Sequence, residues 1–179
     1  GGASEGTCYD DTWIFDLSEN SWTEVEVTNK PIGRVYHESS FIAQKRVLLF
    51  GGRQCNESGL GDTWVFNGTT NKWIQINNLS PQPDARRYHG LEYIGDNKAI
   101  LYAGFDGANF NDTWEFDLSS NSWLLISNPS NIRASHAHGM AYIGNGTLIL
   151  FAGNKSLQKG NNLSDIFKYN NSIIFDEMD

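Results

Sequence analysis

Arginine, histidine and aspartate recur in this chain at fixed steps. Arg34, Arg86 and Arg133 each stand three residues ahead of a histidine, namely His37, His89 and His136. A guanidinium carries a planar fork of donors that matches a carboxylate or a phosphate. Arginines at repeated positions either serve an acidic ligand or pair with carboxylates of their own segment, because Asp11, Asp62, Asp112 and Asp165 recur just as regularly. The histidines carry two readings as well, a ring of metal ligands or a repeated structural position. Neither a Cys-x-x-Cys pair nor a His-Glu-x-x-His segment is present, so the spacing predicts no metal and no cofactor. A Gly-x-Ser-x-Gly elbow and a phosphate-binding loop are missing too, and the chain is expected not to be an enzyme.

What positions these residues is a repeat. Asp112-Thr113-Trp114-Glu115-Phe116, followed by Trp123, has near copies in Asp11-Thr12-Trp13-Ile14-Phe15 with Trp22 and in Asp62-Thr63-Trp64-Val65-Phe66 with Trp73. The first Trp falls at 13, 64 and 114, a period of roughly 50 residues, which marks a propeller-type repeat array. Within each unit, Trp-x-Phe alternation reads as a half-buried strand, and Arg46-Val47-Leu48-Leu49-Phe50 reads as a strand covered on both faces. Short strands at regular spacing between turn residues predict an all-β fold, and no segment sustains a helical period. The units run 1–30 (the second half of one), 31–80, 81–130 and 131–179. The outer half of the last departs from the pattern: Asp165-Ile166-Phe167-Lys168-Tyr169 replaces Asp-Thr-Trp-x-Phe, and Phe175 stands for the second Trp.

Charge narrows the partners. The chain carries Lys+Arg 13 against Asp+Glu 21, a formal charge of −8. Nucleic acid and anionic membranes both reward a basic surface, so neither is expected as a partner. No apolar run reaches the roughly 18 residues of a spanning helix, so direct membrane insertion is not expected either.

The pair Gly51-Gly52, the aromatic Trp64 and then Trp73, with the parallel set Gly1-Gly2, Trp13 and Trp22, resemble kelch repeats. The likeness covers essentially the whole chain. It implies a kelch-type β-propeller of four-stranded antiparallel blades around a central channel, with about three and a half blades here, in a piece of a longer chain. It further implies that the loop entering strand 1 and the loop between strands 2 and 3 open on one face. Arg34, Arg86 and Arg133 would line that mouth with Tyr36 and Tyr88 and take an acidic protein partner. The implied function is a protein-protein interaction module. Two alternatives stay open: a structural component of a surface or filament assembly, or a propeller enzyme with its active site on further blades. Cys8 and Cys55 both fall between strand 2 and strand 3 of neighbouring units, on the same expected face, and either pair or stay reduced.

Eight Asn-x-Ser/Thr sequons occur, more than the Asn-rich composition accounts for. Asn56, Asn67, Asn78, Asn145, Asn154 and Asn162 lie in predicted loops or linkers, where a glycan can be attached. The expectation is an extracellular or cell-surface glycoprotein, with a cytoplasmic adaptor as the alternative.

Overall fold

A computed structural model describes residues 1–55, 57–127, 135–151, 153–155 and 167–169. Within them the chain forms antiparallel strands and turns, with no helix. The sheets follow one another in chain order. β1 (Gly2–Ser4) and β2 (Thr7–Tyr9) make a short hairpin, so the stretch expected as a polar loop around Cys8 is paired. β3 (Trp13–Asp16) pairs with β4 (Ser21–Glu24) as the two outer strands of a first sheet.

Two complete sheets come next. β5 (Glu38–Ala43), β6 (Arg46–Phe50), β7 (Thr63–Asn67) and β8 (Lys72–Ile76) lie side by side in sequence order. β9 (Gly90–Gly95), β10 (Lys98–Tyr102), β11 (Thr113–Asp117) and β12 (Ser122–Ser127) repeat that order. Then come β13 (Ser135–His136), β14 (Gly139–Gly144), β15 (Thr147–Phe151), β16 (Asn154–Lys155) and β17 (Phe167–Tyr169). β14, β15 and β17 form a three-stranded sheet, and β13 pairs with β16. The expected place of Phe175 lies outside the described residues.

β5 packs beside β9, and β9 beside β14. The first strand of each sheet therefore faces the first strand of the next, as blades set around an axis require. The core follows from this arrangement. Ile42, Leu48, Phe50 and Val65 from one sheet and Leu91, Leu101, Trp114, Phe116 and Trp123 from the next form one buried cluster. Tyr102, Ala103 and Leu150, with Met140 against them, fill the following seam. Apolar burial is between sheets, because a single four-stranded sheet has no second layer of its own.

The repeated motif residues close the seams. The indole N–H of Trp64 donates to Asp62 at 2.7 Å, and Trp13 and Trp114 make the same bond to Asp11 and Asp112. The second Trp of each unit reaches back one sheet. Trp73 Nε1 donates to Thr12 Oγ1, and Trp123 Nε1 to Thr63 Oγ1, both at 3.0 Å. Each letter of Asp-Thr-Trp thus has a partner: the aspartate takes its own Trp, and the threonine takes the Trp of the next unit.

Candidate functional site

Arg34 and Arg86 do not line a mouth. They are 2% and 0% exposed, and each guanidinium binds both oxygens of an aspartate in its own sheet. Arg34 Nη1 and Nη2 donate to Asp62 at 2.6 and 2.7 Å, Nη1 also donates to the Gly51 carbonyl, and Nε donates to Ile32. Arg86 repeats the set on Asp112, Ala103 and Asp84. Burial works against the charge on Asp62, but the Arg34 hydrogen bonds and charge, helped by the Trp64 indole, hold its carboxyl below the usual range. The sequence reading that put these two arginines at the binding surface is corrected here: their donors are satisfied inside the blade.

The histidine register is corrected as well. Short bridges join Val35 to Arg53, Arg87 to Phe105 and His136 to Asn154, so His136 sits at the place of Val35 and Arg87. The rung held by His37 and His89 falls to His138, each packed against a glycine at the end of strand 2: Gly52, Gly104 and Gly153. Counting three residues on from Arg133 missed this, because the fourth unit enters its first strand two residues later. Arg133 itself lies outside the described residues.

The rim carries other side chains. Tyr36, Tyr88 and Ala137 each stand just before an inner strand, at φ of 59°, 58° and 56°. The Tyr88 amide donates to the Tyr36 carbonyl at 3.1 Å, and the Ala137 amide to the Tyr88 carbonyl at 2.8 Å, so the backbone is stitched from sheet to sheet. Bulky residues in the left-handed region are outliers that cost about 1–3 kcal/mol each and cluster at functional sites. The rings continue the stitch outward. Tyr36 and Tyr88 lie 4.4 Å apart, Tyr88 and His136 5.8 Å, and His136 and Phe105 5.3 Å.

Two guanidinium groups flank this row. Arg53 donates from Nη2 to the Cys55 carbonyl at 2.8 Å, and Arg87 lies 5.1 Å over the Phe105 ring with Asp106 at 3.4 Å. The loops after strand 2 also lock onto one another. The Gly59 amide donates to Asp106 at 3.3 Å, His136 Nδ1 donates to Asn109 Oδ1 at 2.9 Å, and Cys8 is joined to Cys55 across a 5.5 Å Cα separation. Burial, with the Tyr36 hydroxyl beside it, pushes the Tyr88 phenol up, so it stays a neutral donor at physiological pH. Burial and then the Arg87 charge push the His136 imidazole down.

This row brings together phenol hydroxyls and guanidinium N–H groups, all of them hydrogen-bond donors. Among the described residues no group of three or more His, Cys, Asp or Glu is placed to hold a metal ion. Arg53 and Arg87 were missed in the sequence. The signal was present in Arg86-Arg87: neighbours in extended chain point to opposite sides, so with Arg86 enclosed the Arg87 side chain goes the other way, where it is 16% exposed and paired with Asp106.

The sequon asparagines are spread over both ends of the sheets. Asn78 and Asn145 are exposed in turns, at φ of 59° and 50°. Asn67 is half-buried, and its Oδ1 accepts the Thr69 amide. Asn154 lies on β16, and Asn56 and Asn162 fall outside the described residues.

Serial four-stranded antiparallel sheets joined inner strand to inner strand define a partial β-propeller. The model of the KLHDC2/KLHL20/DRC7 Kelch-repeats domain matches residues 1–153, and the chain belongs to the kelch-repeat family. It is 33% identical over 101 residues to F-box/kelch-repeat protein At1g51550 of Arabidopsis thaliana, covering 52% of this chain and 21% of that one. Kelch domain-containing protein 1 of Mus musculus is 29% identical over 96 residues, 52% of this chain and 22% of its own. Adagio protein 3 of Arabidopsis thaliana is 30% identical over 110 residues, 58% of this chain and 17% of its own. The chain thus spans about a fifth of the length of the relatives it matches.

Proposed function

We propose that this chain is a protein-interaction module that grips an acidic segment of its partner at the rim formed by Tyr36, Tyr88, His136, Arg53 and Arg87. The observation that carries the reading is the pair Tyr36 and Tyr88, held in a strained backbone conformation with Tyr36 47% exposed, beside two guanidinium groups. A peptide carboxylate matches such donors, since charge-assisted hydrogen bonds are about twice as strong as neutral ones. The family membership supports a protein as the partner. Peptides selected by display on the chain should be enriched in Asp and Glu, and the double variant Arg53→Glu, Arg87→Glu should lose them while keeping its circular dichroism. Selected peptides that bind parent and variant alike place the site elsewhere.

The same reading places the module in a longer secreted or cell-surface glycoprotein. The exposed sequons at Asn78 and Asn145 and the Cys8–Cys55 bond support it, since disulfides persist in oxidising compartments. Intact mass of the native protein before and after enzymatic N-glycan removal tests it: a loss of sugar mass is expected, and no loss overturns the glycoprotein part alone.

A further inference from the structure

Each seam between successive sheets is plugged by an imidazole. A methyl group added at Gly51 would come within 3.3 Å of the His89 ring, one at Gly90 within 2.9 Å of His138 Nε2, and one at Gly1 within 3.1 Å of the His37 ring. Each ring therefore reaches from its own strand into a notch that a glycine of the preceding sheet leaves open. Phe50 meets His89 edge-on at 5.5 Å between centroids, and Tyr102 lies 5.6 Å from His138. His89 is 1% exposed. Among the described residues, neither ring nitrogen of His89 or His138, nor Nδ1 of His37, has a hydrogen-bond partner.

Among the described residues the charged groups facing these rings are cationic. His37 faces Arg34, His89 faces Arg86 and the other two imidazoles, and His138 faces His136. Tyr102 beside His138 is neutral, since burial pushes its phenol well up. The nearby carboxylates, Asp62 and Asp112, are already held through both oxygens by Arg34 and Arg86. Among the described residues, a proton arriving at a seam meets no free carboxylate.

We infer that His37, His89 and His138 make this array acid-labile as a unit, each seam opening when its imidazole takes up a proton. The inference stands apart from the reading of the rim as a docking surface. Its sign follows from burial. Desolvation first, and the neighbouring cations second, push the three imidazoles down from about 6.5 to about 4, about 3 and about 4 in the folded chain. The unfolded chain then binds more protons below about pH 6.5, so the stabilisation present above that value is lost progressively as pH falls towards 4. Carboxylates such as Asp62 act only lower down, below their ordinary range near 4.

The experiment is urea unfolding of the intact chain at about pH 7.5, 6.5 and 5.5, where each imidazole contributes roughly a tenfold drop in the folded-to-unfolded ratio across the span. The three seam imidazoles together should cost the parent about a thousandfold, any share of His136 adding equally to both chains, and His138→Gln should lose about tenfold less than the parent. The readout is the slope with pH, so a variant weakened at every pH still tests the idea. If a variant does not fold, the parent's slope and its proton uptake on unfolding decide alone. A ratio that stays flat between pH 7.5 and 5.5, or a His138→Gln slope equal to the parent's, overturns it.

Discussion

The first sheet and the third carry nearly the same words and meet opposite fates. In β11 and β12, Trp114, Phe116 and Trp123 are 8%, 0% and 2% exposed. In β3 and β4 the equivalent Trp13, Phe15 and Trp22 are 47%, 36% and 64% exposed, although the Phe15–Trp22 ring pair at 5.0 Å matches Phe116–Trp123 at 5.0 Å. The strand, the turn and the ring pair are local. Burial is not, because the covering layer belongs to the neighbouring sheets.

That contrast sets the size of each expected effect. Trp123→Ala should cost about 3–5 kcal/mol, as large aromatic truncations in cores do. In residues 1–179 taken by themselves, where Trp22 is exposed, Trp22→Ala should cost less than about 1 kcal/mol, since exposed substitutions rarely exceed that. Unfolding midpoints in urea for the two variants measure the difference directly, and equal losses would mean that the first sheet is covered in solution.

The next effect separates ion pairs. Arg86→Ala leaves Asp112 charged and enclosed, and breaking a buried pair in this way costs about 3–5 kcal/mol. Lys30→Ala removes the surface contact to Asp10, whose side chain is 51% exposed, and should change stability by less than about 1 kcal/mol. Added salt should shrink the second effect and leave the first nearly intact.

The disulfide offers a third comparison. Its partners are 47 residues apart, and loop entropy assigns it about 4 kcal/mol, with measured bridges often falling short. It ties the poorly covered first hairpin to a well-packed sheet, so Cys8→Ser, Cys55→Ser should raise amide exchange at Cys8 and Tyr9 far more than at Leu101. Uniform protection in the double variant would show that packing alone holds the hairpin. Among the buried contacts the smallest expected effect is Thr63→Val, which removes only the acceptor for Trp123 Nε1; a loss of about 1–2 kcal/mol in the same urea assay is expected.

Much of this was legible in the text. The period placed β7 and β11, and the Gly51-Gly52 pair marked the end of β6. Phase was less legible. His138, not His136, occupies the seam, because a two-residue offset in the fourth unit does not disturb composition and only pairing of β13 with β16 exposes it. The arginines stayed open between an acidic ligand and a carboxylate of their own segment, and the second holds for Arg34 and Arg86. A guanidinium suits an internal carboxylate as well as an acidic ligand, and only the packed structure shows Arg34 and Arg86 enclosed and Arg53 and Arg87 at the rim.

What the amino-acid order determined by itself was everything that depends on neighbours along the chain. Alternation gave strands, turn residues gave hairpins, and a repeat near 50 residues gave a row of equivalent sheets. What the tertiary structure alone decided was which copy of each repeated residue is buried, which is paired and which faces out. Identical words fold into identical strands, but their burial depends on the sheet beside them, and each seam has its own pair of neighbours.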